Sequence, residues 1–345
     1  MDFPQISSFA ETDREDDAAG ALADRLDAFG ISSPMVVAST HGAALAARLS
    51  GPRETPGPGL DQHWAAGLGS RAHRAGADAV VAVGGGRCLD LAKLAAARAG
   101  LRMVSVPTQL SHDGICSPVA VVPNEHGVAE SIGAVAPLGV FLSMPSLTRA
   151  PVESVRAGIG DLLANPLALR DWALATERGL EQSDSSAWDL SVESYDRIEP
   201  FLDADIEVLV KDPDWHRTLA DALVLSGLAM IRAGTSRPAS GAEHEISHAI
   251  DELYGGRALH GAQVAFGCII SIALYGDDHR AFRRTLSRLG LPDHPRDLGL
   301  SAADTVRLVT AAPETRPGRY TILEATDLDD AAAGRLVREI WGDLG

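Results

Sequence analysis

The chain has 345 residues, 46% of them hydrophobic, and sets 47 acidic against 30 basic side chains for a formal net charge of -17. That length allows one large or two medium domains with a sizeable core. The acidity argues against nucleic acid and anionic membrane surfaces as partners, yet leaves room for a small phosphorylated ligand, which needs only a few local cations or a helix N-terminus.

The opening stretch MDFPQISSFAETDREDDAAG has neither the basic nor the apolar region of a signal peptide, and residues 11–17 read as a solvated lead-in to a first helix. From about residue 33 short apolar runs alternate with helical patterns: MVVAS, AALAARL, DAVVAV, CLDLAKLAAARAG, LRMVSVPT. This is the pattern of successive βα units and a parallel sheet with helices on its faces. Within it GPRETPGPG, residues 51–59, reads as a surface loop. VAVV and GVFLSM, with the turn PNEHG between them, continue the strands to about residue 144. Beyond residue 145 Ala- and Leu-rich helical periodicity takes over, as in VRAGIGDLLANPLALRDWALATE, HRTLADALVLSGLAMIRAG and AADTVRLVTAAP. The prediction is an α/β fold: a Rossmann-like parallel-sheet domain over residues 1–145, then an all-α domain over residues 146–345. The longest apolar stretch, VAFGCIISIALY, is too short to span a bilayer, and Cys88, Cys116 and Cys268 form no CxxC pair. A cytoplasmic protein free of membrane, with no disulfide framework, is expected.

Chemistry-bearing residues collect at a few places. In VVAVGGGRCLDLAK the glycines Gly84, Gly85 and Gly86 stand between a strand and a helix, where backbone N–H groups can meet a pyrophosphate; a bare GGG also serves a tight βα turn. SVPTQLSHDGICSP ends another strand in a polar cluster with His112 and Asp113, on the same carboxyl edge of the sheet, although Asp113 alone reads equally as a turn-forming residue. In the helical half, GAEHEISHAID puts His244 and His248 on one helix face, and His260 follows in ALHGAQVAFG. AGIGDLLAN places Asp161 early in a helix. Two imidazoles and a carboxylate suit zinc or a similar divalent ion, while most HxxxH pairs are structural.

These blocks, with GTSRPASGAEHEISHAID and PGRYTILE, stand in the order found in the sn-glycerol-1-phosphate dehydrogenases, and the chain resembles that family over most of its length. The resemblance extends to the wider superfamily of glycerol dehydrogenases, iron-containing alcohol dehydrogenases and dehydroquinate synthases. It implies a dehydroquinate synthase-like fold and an NAD(P)H cofactor held by Gly84, Gly85 and Gly86, with Asp90 and Lys93 completing GGGxxxDxAK, and with Thr108 and Ser117 also against the cofactor. It implies one divalent metal, zinc with nickel or iron as alternatives, on Asp161, His244 and His260. Asp113 falls beside the substrate and His248 at a proton relay near the nicotinamide, so both are catalytic candidates. Arg237, in GTSRPASGAEH, matches the family's SSRPASGSEH and becomes the candidate for a substrate phosphate, its planar fork suiting that group. A homo-oligomer is also expected.

Two departures stand out. Ala262, in HGAQV, replaces an acid that the family often carries, which implies weaker support for His260 and lower metal affinity. VVASTHGA offers Ser39, Thr40 and His41 where glycerol dehydrogenases tend to hold the adenosine ribose with an acid, so NADPH fits as well as NADH. The implied reaction is reversible hydride transfer between NAD(P)H and dihydroxyacetone phosphate or a related phosphorylated polyol or sugar. The alternatives are a dehydroquinate synthase-like cyclase using NAD transiently, against which Asp161 weighs because that group typically uses a glutamate ligand, a dehydrogenase of an unphosphorylated polyol, and a nucleotide-binding protein without activity.

Overall fold

The computed structural model describes residues 5–10 and 14–342; residues 11–13 of the acidic lead-in lie outside the described residues. The chain runs β1 (Gln5–Ala10), α1 (Glu15–Ala28), β2 (Pro34–Ala38), β3 (Arg53–Glu54), α2 (Gln62–Arg74), β4 (Ala79–Gly84), α3 (Gly86–Ala99), β5 (Arg102–Pro107), β6 (Val119–Pro123), β7 (Ala129–Gly133) and β8 (Gly139–Ser143). Helices follow: α4 (Met144–Leu147), α5 (Val152–Leu162), α6 (Asn165–Glu177), α7 (Ser185–Asp196), α8 (Ile206–Leu209), α9 (Pro213–Ala233), α10 (Ala242–Tyr254) and α11 (His260–Leu274). The last are α12 (His279–Leu289), α13 (Ala302–Ala311), α14 (Ile322–Thr326) and α15 (Asp330–Trp341).

Six strands form one parallel sheet in the order β1-β8-β5-β4-β2-β3. Strands β2, β4 and β8, and β5 after Arg102, are buried along their length because both faces are covered, whereas the edge strand β3 is only Arg53–Glu54. Along β2, Val36 and Ala38 pack with Leu22 of α1 and Leu45, while Met35 and Val37 pack with Leu68 of α2 and Leu89 of α3. The second of these cores continues without a break into the helical half, through Leu162, Leu223, Ile246 and Phe266. Each such side chain, fully buried, contributes roughly 1.5–3 kcal/mol.

Three local expectations change. AALAARL forms successive turns, not a helix, yet still buries Leu45, Ala46 and Leu49 against the sheet. VAVV leaves the main sheet: β6 pairs antiparallel with β7 in a separate hairpin, because AESIG supplies its partner. The GPRETPGPG loop contributes the two residues of β3 to the sheet edge.

Candidate active site

Asp161 is the penultimate residue of α5, not an early one as its sequence context suggests. His260 is the first residue of α11, and His244 stands in the first turn of α10. Two glycines let these helix ends meet. A Cβ on Gly160 would lie 2.4 Å from the carbonyl oxygen of Gly261, and one on Gly261 would lie 1.9 Å from that of Ala157, so α5 and α11 touch backbone to backbone.

The result is a group of three donors, Asp161 and His244 buried and His260 half-buried, whose ligand atoms lie within 4.8 Å of one another. Asp161 Oδ2 accepts the backbone N–H of Asp113 at 2.8 Å, whereas Oδ1 has no hydrogen-bond partner. That oxygen faces His244 Nε2 at 3.8 Å and His260 Nε2 at 3.9 Å. A tetrahedral shell with bonds of about 2.1 Å has donors roughly 3.4 Å apart, so a divalent ion fits with a small contraction. Burial holds both imidazoles well below the usual histidine range, which keeps them neutral as ligation requires. Burial, then the charges of Asp113 and Glu243, pushes Asp161 well above the usual carboxylate range, the situation a cation relieves. An orphaned buried oxygen between two neutral imidazoles is therefore suited to a metal.

Around this group the sequence reading was incomplete. Glu243 Oε1 accepts from His244 Nδ1 at 3.0 Å, which leaves Nε2 as the donor pointing at the site. His260 Nδ1 meets only Ser247 Oγ, at 3.4 Å, and Ala262 supplies no carboxylate. His112 sets its ring edge-on to His260 with centroids 6.0 Å apart, its Nδ1 accepting from Gly114 N at 3.0 Å. A Cβ on Gly86 would come within 2.2 Å of His112 Nε2, so the glycine of the βα turn also makes room for this ring. Ser226 Oγ donates to Asp113 Oδ2 at 2.9 Å; burial still pushes Asp113 up to about 6.

The metal-type group borders a cavity of about 460 Å³ lined by Asp113, Ser117, His244, His248 and His260, with Arg87 and Asp90 of α3 also on its wall. A second cavity, about 530 Å³, lies outside the carboxyl ends of the strands against Ser39, His41, Gly85, Gly86 and Thr108. Gly85 caps α3 with its N–H groups toward this side, and Thr108 N donates to Gly84 O at 3.0 Å. Asp90 lines the first cavity while pairing with Lys93 at 2.9 Å and accepting from Val121 N at 3.2 Å. Lys93 Nζ also donates to Gly114 O, so this pair ties the loop carrying Asp113 to α3.

His248 lines the first cavity and has no hydrogen-bond partner among the described residues. Burial, then Arg316 and His244, lowers it to about 3. Arg237 has its donors engaged: its Nε donates to both oxygens of Glu181, at 2.8 and 2.7 Å, and Nη1 donates to Tyr320 O at 2.8 Å. The fork offered to a phosphate in the sequence reading is engaged by a carboxylate. Arg316 and Arg319, from ETRPGRY, were not singled out, although two arginines flanking Pro-Gly are a legible cluster of donors.

A family model described as iron-containing alcohol dehydrogenase matches residues 58–151. Among solved structures the fold is similar to a probable glycerol dehydrogenase from Sinorhizobium meliloti (TM-score 0.79, 24% identity, covering 98% of this chain and 97% of that one). It is also similar to a glycerol dehydrogenase from Schizosaccharomyces pombe (TM-score 0.75, 18% identity, covering 98% and 89%). In sequence the chain is 43% identical over 266 residues to a glycerol-1-phosphate dehydrogenase [NAD(P)+] of Hyperthermus butylicus, covering 77% of this chain and 75% of that protein. It is 40% identical over 258 residues to the enzyme of the same name from Pyrococcus furiosus, covering 75% and 73%. The chain belongs to the glycerol-1-phosphate dehydrogenase family.

Proposed function

We propose that this chain is an NAD(P)-dependent oxidoreductase that interconverts dihydroxyacetone phosphate and sn-glycerol 1-phosphate. The observation that carries the reading is the orphaned Asp161 oxygen between two neutral imidazoles, beside a cavity that is also lined by Asp113, Ser117 and His248. Asp161, His244 and His260 would hold one divalent ion, zinc in first place; Gly84, Gly85, Gly86, Asp90, Thr108 and Ser117 are the residues set to hold the cofactor. When bound, these two groups supply carbonyl polarisation and the hydride.

The chain's own residues do the rest. Asp113 fixes Asp161 through its backbone N–H and lays a carboxylate, anchored by Ser226, beside the substrate cavity. Reduction of a ketone adds hydride to carbon and a proton to oxygen. His248 is the relay for that proton: a neutral imidazole accepts at one ring nitrogen as it donates from the other, and it has no competing partner among the described residues. The cavity is walled by helices on one side and by the β6–β7 hairpin on the other. Its free cysteines fit a reducing cytoplasm, and no helix among the described residues is long and apolar enough to cross a membrane.

The test is NADH and NADPH oxidation by zinc-loaded protein with dihydroxyacetone phosphate, beside a chelator-treated sample. Stoichiometric oxidation, lost on chelation and restored by metal, is expected. Turnover of dihydroxyacetone but not of its phosphate, or nucleotide that returns unchanged after conversion of substrate, would replace the reading with a polyol dehydrogenase or a cyclase.

A further inference from the structure

Beside the metal-type group lies a cavity of about 510 Å³ that shares His248 and Arg316 with the first and adds Thr235, Arg237, Gly318 and Arg319. Three guanidinium groups meet at this place. Arg237 is matched by Glu181. Arg316 and Arg319 are not: neither has a carboxylate within ion-pair distance among the described residues. Their partners are neutral. Arg316 Nη1 donates to Ser240 Oγ at 2.7 Å and Nη2 to Ser236 Oγ at 3.4 Å, while Arg319 Nη1 donates to Ser236 Oγ at 3.0 Å and Nη2 to the carbonyl of Ser240. Nε of Arg319 is buried with no partner.

The nearby acids are otherwise engaged. Glu243 holds His244 and Gly241 N, Glu245 accepts from Thr321, and Glu130 accepts from Gln62 and Asn124; Glu252 sits exposed at the rim. Like charges crowd: burial, then Arg316 and Arg237, lowers Arg319 to about 9, and the carboxylates of Glu245 and Glu243 offset this only in part. Two guanidiniums brought together in a partly buried cavity with no carboxylate paired to either raise the free energy of the empty protein and are relieved by a dianion.

We propose that Arg316 and Arg319 bind the phosphate of the substrate, and that Arg237 positions them. The Glu181 pair fixes Arg237, whose Nη1 holds the carbonyl of Tyr320, the residue next to Arg319. Arg316 also lines the metal-side cavity, so a phosphate here places a three-carbon ketone's carbonyl toward Asp161, His244 and His260. This assignment rests on the proposed reaction for its substrate, though not for the chemistry of the site, which recognises a phosphate monoester or inorganic phosphate.

The experiment compares wild type with Arg316→Gln and Arg319→Gln, taking kcat/KM for dihydroxyacetone phosphate and for dihydroxyacetone. The ratio of the two should fall by about ten- to a hundredfold in each variant, through KM of the phosphorylated substrate, as loss of a charge-assisted contact implies. Arg316→Lys should recover part of it. A purely structural role lowers both substrates together and leaves the ratio unmoved, which overturns the proposal. A rise in KM for NAD(P)H with the ratio intact assigns the arginines to nucleotide and overturns it likewise. Should wild type not turn over dihydroxyacetone phosphate, the reaction reading fails; calorimetric titration with inorganic phosphate then decides, binding lost in the double variant supporting the site and binding retained refuting it. If the variants do not fold, phenylglyoxal labelling of wild type with peptide mapping applies. Phosphate should protect Arg316 and Arg319 but not exposed Arg98, which lines none of these cavities; no protection refutes the site.

Discussion

Glu243 has two tasks at once, and the chemistry of the metal position depends on both. Its Oε1 accepts from Gly241 N at 2.6 Å, which anchors the start of α10, and from His244 Nδ1, which sets that imidazole's tautomer. His260 lacks a comparable partner, since Ser247 at 3.4 Å is long for a hydrogen bond and Ala262 adds none. Orientation of the site therefore leans on one carboxylate. Glu243→Gln keeps the volume and an acceptor oxygen but removes the charge, so metal affinity should fall by about ten- to a hundredfold, the usual cost of losing such a support. A competition titration with a chromophoric chelator measures it, and unchanged affinity would refute the role. His244→Ala should lose the ion altogether, as read by elemental analysis; a variant as metal-rich as wild type would remove His244 from the ligand set.

The helices bring the ligands together through their ends, and the contact of α5 with α11 decides the geometry. Asp161 closes one helix and His260 opens the other, with Gly160 and Gly261 between the two backbones. A methyl at Gly261 meets a main-chain carbonyl at 1.9 Å, an obstacle that no rotamer change relieves. Gly261→Ala should destabilise the fold by about 1–3 kcal/mol, the range for overpacking, and lower bound metal in the same preparation because Asp161 and His260 move apart. Thermal melting with metal analysis tests this; loss of stability with full metal content would separate the contact from the site. This dependence also marks what was legible in the sequence. The apolar runs of β2, β4 and β5 stand out because burial on both faces needs a continuous pattern, and GGG stands out because three glycines between a strand and a helix mark a tight turn or a close backbone approach. The place of Asp161 in its helix was misread, since the glycines before it look like a helix start, whereas Pro151 caps the helix ten residues upstream of Asp161 and the turn after Leu162 ends it. VAVV reads as a strand, but a strand's own residues do not state its partner, and its pairing with β7 outside the main sheet shows only in the fold. Arg316 and Arg319 lie some seventy residues from the metal helix, and only the folded chain shows them against Ser236 and Ser240.

The active cleft is assembled from parts with separate supports. The proposed nucleotide side rests on the turn from β4 to α3 and the end of β5, held by backbone bonds and by the Asp90–Lys93 pair. The proposed metal side rests on the ends of α5, α10 and α11, and the proposed phosphate site on the loop after α9 together with residues 316–319. One core joins them, and the Asp113 segment links the first two supports directly: its N–H reaches Asp161 while the loop behind it is tied by Lys93. Removing the ion therefore leaves the glycine turn with all its hydrogen bonds. NAD(P)H should bind the chelator-treated protein within about threefold of its affinity for the loaded form, well under the roughly 1.4 kcal/mol of a tenfold change. Melting should respond differently: an ion bound only by the folded chain raises the midpoint, since at a hundred times Kd it adds about 2.7 kcal/mol. The paired measurement is a nucleotide fluorescence titration and a thermal melt on the same loaded and stripped samples. A tenfold or greater loss of nucleotide affinity on chelation would show that the Asp113 segment couples the two sides, and the picture of separately supported halves would have to be given up.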